Sequence, residues 1–237
     1  SQELNQMKTI VSQAMNEGAF GISTGLKYLP GSFSKVDEII EISKEVSKKG
    51  GIYTSHLRDE GLEVLASIDE AITISEKANI TVILTHNKVI GKPMWGKSVQ
   101  TLARVDNARE KGLDIRIDQY PYNASHTSIS VLIPSWARAG GQEMFKMRLD
   151  NEIFRDSILN GIVFNILNDR GGEDLDRIQF AKVEWMPQLE GKTLKYWCNL
   201  RGIEPTTKNA AERVNEAQLK GGANCNFNAM DAAAVEY

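Results

Sequence analysis

The feature that most constrains this chain is a rhythm. Over roughly its first 120 residues, short apolar runs alternate with amphipathic stretches at a period of roughly 30 residues. "GAFGIS" (18–23), "GIYTSH" (51–56), "ITVILTH" (80–86) and "LDIRIDQYPY" (113–122) read as strands. Between them lie "SKVDEIIEISKEVSKKGG" (34–51), "LEVLASIDEAITISEKAN" (62–79) and "SVQTLARVDNAREKG" (98–112), which read as helices. In the first, Ser34 is placed to cap, Ile39, Ile42 and Val46 recur at helical steps, and Gly50 is a stop. In the second, Leu65, Ile68 and Ile72 form one stripe. The run "ITVILTH" is continuous enough to predict a strand buried on both faces.

Strand, helix, strand at this spacing predicts right-handed βαβ crossovers and a parallel sheet. Ligands of such sheets bind beyond the carboxyl ends of the strands. Two of the chain's three histidines, His56 and His86, fall there, at the exits of consecutive strands. Neutral imidazole is a common zinc ligand and needs a rigid mount. The competing reading is a pair of histidines satisfied by local hydrogen bonds. Two histidines do not complete a zinc shell, so further ligands are expected from elsewhere. Lys88, two residues past His86, is placed on the same rim, either to hold a carboxylate or as a solvated loop lysine. Asp118 reads best as a buried cap of loop amides. Tyr28, Tyr120 and Tyr122 follow strands and are pocket wall or packing; His126 reads as a surface or packing residue.

After Tyr120 the rhythm breaks. The segment 120–180 holds turn residues, aromatics and one amphipathic helix, as a long insertion or lid would. Residues 181–237 are expected to return to the sheet, with "DRIQFAKVEW" a strand and helices from "EGKTLKYWCNLRG" and the region after it. The N-terminus reads as an amphipathic helix already under way, and both ends look cut, so an internal fragment is expected. A net charge of −3 makes no case for nucleic acid or an anionic membrane surface, and no apolar run suits a membrane span. The two cysteines, Cys198 and Cys225, form no CxxC pair, which suits a reducing compartment. GxGxxG and HExxH signatures are absent from the sequence.

Taken together, "EGAFGISTGLKYLPGS", "GGIYTSHLRDEG", "LTHNKVIG", "DQYPYNAS" and "LEGKTL" resemble the N-acyl-D-amino-acid deacylases (D-aminoacylases) of the amidohydrolase superfamily. The resemblance implies an α/β fold: part of a metal-dependent (β/α)8 TIM-type barrel, about strands 4–7, with a long insertion after strand 7. On that basis residues 1–119 are partial barrel, 120–180 insertion, and 181–237 a return to the barrel that stops before its last strand. It implies Zn2+ as cofactor, His56 and His86 as metal ligands, and Lys88, Tyr120 and Tyr28 as substrate-binding residues. The expected activity is hydrolysis of an N-acyl-D-amino acid to a carboxylate and a free D-amino acid. The family's HxH motif is absent and its catalytic aspartate is expected beyond Tyr237, so no catalytic residue is assigned and the chain alone is expected to be inactive. Two positions depart from the family pattern, Lys27 and His126, and bear on side-chain preference. The expected partner is the small-molecule substrate, with no nucleic acid and no membrane, a cytoplasmic location, and self-association through exposed sheet edges. The alternatives are another amidohydrolase acting on cyclic amides and a non-catalytic binding module.

Overall fold

The structure is a computed structural model and describes residues 1–236; the last residue of the C-terminal segment, Tyr237, lies outside them. The chain forms two compact units, one of Ser1–Val89 with Lys97–Tyr120, the other of Ile90–Gly96 with the residues from Pro121 onward.

The first unit carries α1 (Gln2–Asn16), β1 (Gly21–Gly25), α2 (Val36–Ser47), β2 (Ile52–His56), α3 (Val64–Ala78), β3 (Thr81–Leu84), α4 (Ser98–Glu110) and β4 (Ile115–Ile117). Its four strands pair in parallel in sequence order, β1-β2-β3-β4. Each crossover between neighbouring parallel strands runs through one helix, which for right-handed connections puts α2, α3 and α4 on one side of the sheet. Burial follows the strand period of two. Tyr53, Ser55, Val82 and Leu84 are buried, while Thr54, His56 and Ile83 on the opposite face are only half-buried. The expectation that β3 is buried on both faces is therefore corrected: its apolar run packs on one side. The helices present Ile39, Ile42 and Val46 from α2, Ile68 and Ile74 from α3, and Val105 from α4 to the core.

Ser34 does not cap α2. The N-cap is Lys35, with no side-chain cap bond, because Ser34 lies one residue further out. Its backbone carbonyl instead accepts a hydrogen bond from Arg58 Nη2 at 2.9 Å.

The second unit continues with β5 (Ser125–Ser128), α5 (Ser135–Arg138), α6 (Gly141–Asp150), α7 (Glu152–Asp169), β6 (Ile178–Lys182), α8 (Leu194–Leu200), α9 (Thr207–Leu219), β7 (Asn224–Phe227) and α10 (Ala232–Glu236). β5, β7 and β6 form a separate antiparallel sheet in the order β5-β7-β6. Where one amphipathic helix was expected in 120–180, α6 and α7 both form. Asn151 separates them: it closes α6 and caps α7 by accepting from Phe154 N at 3.2 Å. α7 buries Ile158, Ile162 and Ile166 at four-residue steps yet leaves Ile153, Phe154 and Phe164 exposed, which blurs its periodicity in the sequence. Cys198 and Cys225 are buried free thiols. Among the described residues no helix is long and apolar enough to cross a membrane.

Candidate metal centre

The site lies wholly within the first unit, at the carboxyl ends of β2 and β3. Parallel pairing aligns Gly25 with His56 and Ser55 with Leu84, so the strand exits stand side by side. The ladder runs on into the loops: Leu26 N donates to His56 O at 3.1 Å, Thr85 N to Ser55 O at 3.0 Å, and Asn87 N to Asp118 O at 2.8 Å. His86, just past β3, has φ 42°, a left-handed conformation that side-chain-bearing residues seldom adopt. Two bonds hold it. Its amide donates to Asp118 Oδ1 at 2.5 Å, and its carbonyl accepts from Lys88 Nζ at 3.0 Å.

The imidazoles converge. Their centroids are 4.5 Å apart, edge to face, and His56 Nδ1 lies 2.8 Å from His86 Nε2. Beneath them is Glu60, only 5% exposed. Its Oε1 is 2.5 Å from Lys88 Nζ and 3.2 Å from His86 Nδ1, and its Oε2 is 3.7 Å from His56 Nε2. The loop after β2 builds this arrangement. Asp59 Oδ1 accepts from the amides of Gly61 and Glu63, and Asp59 N donates to Ser67 Oγ in α3, which folds the turn back on the strand end.

Electrostatics keep the histidine neutral and the carboxylate charged. Burial, reinforced by His86, Lys88 and Lys27, outweighs the opposing pull of Glu60 and pushes the His56 imidazole down to about 4. For Glu60, desolvation raises the pKa, but the hydrogen bond from His86 and the charge of Lys88 overcome it and hold the carboxyl at about 2.

The five residues singled out as site residues gather here. Tyr28 packs against His56 with ring centroids 4.8 Å apart and planes tilted by 52°, and Tyr120 stands 6.2 Å from His86. Lys88 is no solvated loop lysine: its side chain is 8% exposed and its ammonium lies 5.5 Å over the Tyr120 ring. Asp118 is exposed, not buried as expected, though it does bind a loop amide. Lys27 pairs with Asp59 at 3.1 Å. His126 belongs to the second unit, is exposed, and bonds Asn226 Oδ1 at 2.9 Å, as a surface residue would. The residue that sequence reasoning missed is Glu60. Its signal was the four-residue step from His56, but Asp59 beside it offered an equal carboxyl, and only the turn decides which one points inward.

The donor set fits a divalent transition metal. One ligand atom from each of His56, Glu60 and His86 lies within 4.8 Å of the others. Imidazole nitrogens are zinc ligands, a carboxylate beside them can ligate or support them, and the imidazole held neutral by burial keeps a lone pair for the metal.

A parallel βα sheet with such a cluster on its rim is the fold and site of an α/β metal-site protein, and comparison narrows the class. No family model matches the chain. Three curated relatives from Alcaligenes xylosoxydans xylosoxydans do. A D-aminoacylase is 38% identical over 128 residues, covering 54% of this chain and 26% of the relative. An N-acyl-D-glutamate deacylase is 36% identical over 137 residues, covering 58% and 28%. An N-acyl-D-aspartate deacylase is 33% identical over 124 residues, covering 52% and 25%. Among solved structures, a D-aminoacylase described as defining a novel subset of amidohydrolases superposes on 99% of this chain and 40% of its own, at TM-score 0.71 and 26% identity. An N-acyl-D-glutamate deacylase from Bordetella bronchiseptica, complexed with zinc and a phosphonate mimic of the tetrahedral intermediate, shares the fold at TM-score 0.73 and 24% identity over 40% of its chain. The chain is thus a homologue of the D-aminoacylases and N-acyl-D-glutamate deacylases, and its matches span a quarter to two fifths of their length.

Proposed function

We propose that this chain contributes part of the active site of a zinc-dependent hydrolase that cleaves N-acyl-D-amino acids to a carboxylate and a free D-amino acid. In this reading β1–β4 are the fourth to seventh strands of a (β/α)8 barrel, and the residues from Pro121 onward begin the insertion after the seventh. The observation that carries the proposal is the pair of facing nitrogens, His56 Nδ1 and His86 Nε2, on the ligand-binding rim of a parallel sheet.

His56 and His86 would hold the zinc. Bound there, zinc supplies polarisation of the amide carbonyl and a lowered pKa for water. The remaining work belongs to the chain. Lys88, paired with Glu60, binds the α-carboxylate of the substrate and fixes its orientation, which makes the site able to sense chirality. Tyr28 and Tyr120 flank the histidine pair and wall the acyl-amino acid away from water. The chain is assigned no general base. Metal-dependent D-aminoacylases among the solved relatives, one of them with a binuclear metal center, support the metal assignment.

The test uses the longest natural protein containing this chain. Zinc-dependent release of amino acid from N-acetyl-D-amino acids, with little from the L-enantiomers, is expected. Equal turnover of both enantiomers, or zinc content unchanged by His56→Ala and His86→Ala, would overturn the proposal.

A further inference from the structure

Glu60 is a buried carboxylate in contact with both histidines, and its geometry gives it a task beyond charge. Each imidazole turns one nitrogen toward Glu60 and the other toward its partner: His56 offers Nε2 to Glu60 Oε2 at 3.7 Å, His86 offers Nδ1 to Oε1 at 3.2 Å, and Nδ1 of the first faces Nε2 of the second at 2.8 Å. A neutral imidazole has one N–H and one lone pair. For a cation to be held between the facing nitrogens, both must present lone pairs. The two protons must then sit on the outer nitrogens, His56 Nε2 and His86 Nδ1, and something there must accept them. Lys88 cannot. Its ammonium has only donors, and at 2.7 Å from His86 Nδ1 it favours the opposite tautomer, with the proton on Nε2 inside the site. Glu60, acceptor only when ionised, has Oε1 within hydrogen-bond reach of His86 Nδ1 at 3.2 Å, while His56 Nε2 lies 3.7 Å from Oε2, beyond that reach.

We propose, building on the metal reading above, that Glu60 is a positioning residue that sets the tautomer of His86. It holds the proton on His86 Nδ1, so that His86 Nε2 is left to bind metal beside His56 Nδ1. It opposes Lys88 for control of His86. When Glu60 takes the His86 Nδ1 proton as its hydrogen bond, Lys88 loses that acceptor and can turn the donor toward a ligand carboxylate. Metal loading and carboxylate binding are then coupled through one side chain, each favouring the other.

The experiment needs no turnover. In the zinc-loaded protein, histidine ring nitrogen and carbon NMR shifts should show His56 bound through Nδ1 and His86 through Nε2, with N–H on the other two nitrogens. Zinc affinity by chelator competition should fall by roughly 10- to 100-fold in Glu60→Gln and Glu60→Ala, as for other partners of metal-bound histidines. Glu60→Asp, which keeps an ionised acceptor, should recover part of the loss. Thermal melts of the metal-free variants show whether the fold survives, and the ring shifts are read on the unaltered protein in any case. His86 bound through Nδ1 with Glu60 itself on the metal, or affinity unchanged in Glu60→Gln, overturns the proposal and leaves the hydrolase reading intact. The expected tautomers without any hydrolysis of N-acyl-D-amino acids would instead uphold the role of Glu60 and sink the hydrolase reading.

Discussion

Arg58 and Glu70 form a two-pronged ion pair, with Nε 2.9 Å from Oε2 and Nη2 2.8 Å from Oε1. The same guanidinium donates to the carbonyls of Ser32 at 3.1 Å and Ser34 at 2.9 Å. One side chain in the loop after β2 therefore ties α3 to the loop after β1, which carries Tyr28. Arg58→Ala should cost roughly 1.5–3 kcal/mol in urea unfolding, the range for hydrogen bonds to a charged group. Hydrogen exchange should quicken in residues 26–34. Arg58→Lys should recover only a fraction, because a single ammonium cannot reproduce the fork. Exchange in that loop unchanged by Arg58→Ala would show that the clamp does not order it.

The two histidines can be separated from the fold that mounts them. His56→Ala and His86→Ala each remove a nitrogen from the facing pair, while both residues are half-buried on the open face of the sheet. Either variant should lower the zinc retained through gel filtration to background and change the unfolding midpoint of the metal-free protein little. Retained zinc in both variants would place the metal elsewhere.

Gly91 and Gly96 offer a matched comparison in the second unit. Both have positive φ, 85° and 81°. A Cβ on Gly91 would lie 2.1 Å from Asn168 O, whereas one on Gly96 would meet nothing within 4 Å. Gly96→Ala should cost about 1–2 kcal/mol, the left-handed backbone penalty alone. Gly91→Ala carries that penalty and a backbone clash as well, and should cost distinctly more by chemical denaturation. Equal losses would mean that the Gly91 turn can yield.

Cys225 gives the pH dependence. Burial pushes its thiol from 9.0 up to about 12. Between those values the unfolded chain has lost the proton that the folded chain still holds, so the unfolded state binds fewer protons and stability falls as pH rises. The contribution is intact below pH 9 and is lost progressively toward pH 12, by up to ~4 kcal/mol at 1.36 kcal/mol per unit. The decline in urea-unfolding stability above pH 9 should be shallower in Cys225→Ala. At pH 8 a thiol reagent should modify both cysteines rapidly only after unfolding, since Cys198 is buried as well.

The histidine pair was legible in the residues themselves because a strand's direction and its neighbour's are linked by the crossover rule. Once "GIYTSH" and "ITVILTH" read as consecutive parallel strands, their last residues had to share a rim. Glu60 was not legible, since its inward turn depends on Asp59 bonding the amides of Gly61 and Glu63. The antiparallel sheet was missed for a related reason. "DRIQFAKVEW" reads as a strand, but nothing in it names its partner, and β6 pairs with β7 some forty residues later.

By itself, then, the sequence determined the four βα units, their parallel order and the rim on which His56 and His86 meet, because each follows from local periodicity and chain handedness. Only the tertiary structure decided that β3 is covered on one face, that β5, β6 and β7 form their own sheet, and that a buried carboxylate lies under the imidazoles. Those outcomes rest on contacts between residues far apart in the chain, where hydrogen-bond satisfaction and burial choose among partners that local patterns leave equivalent.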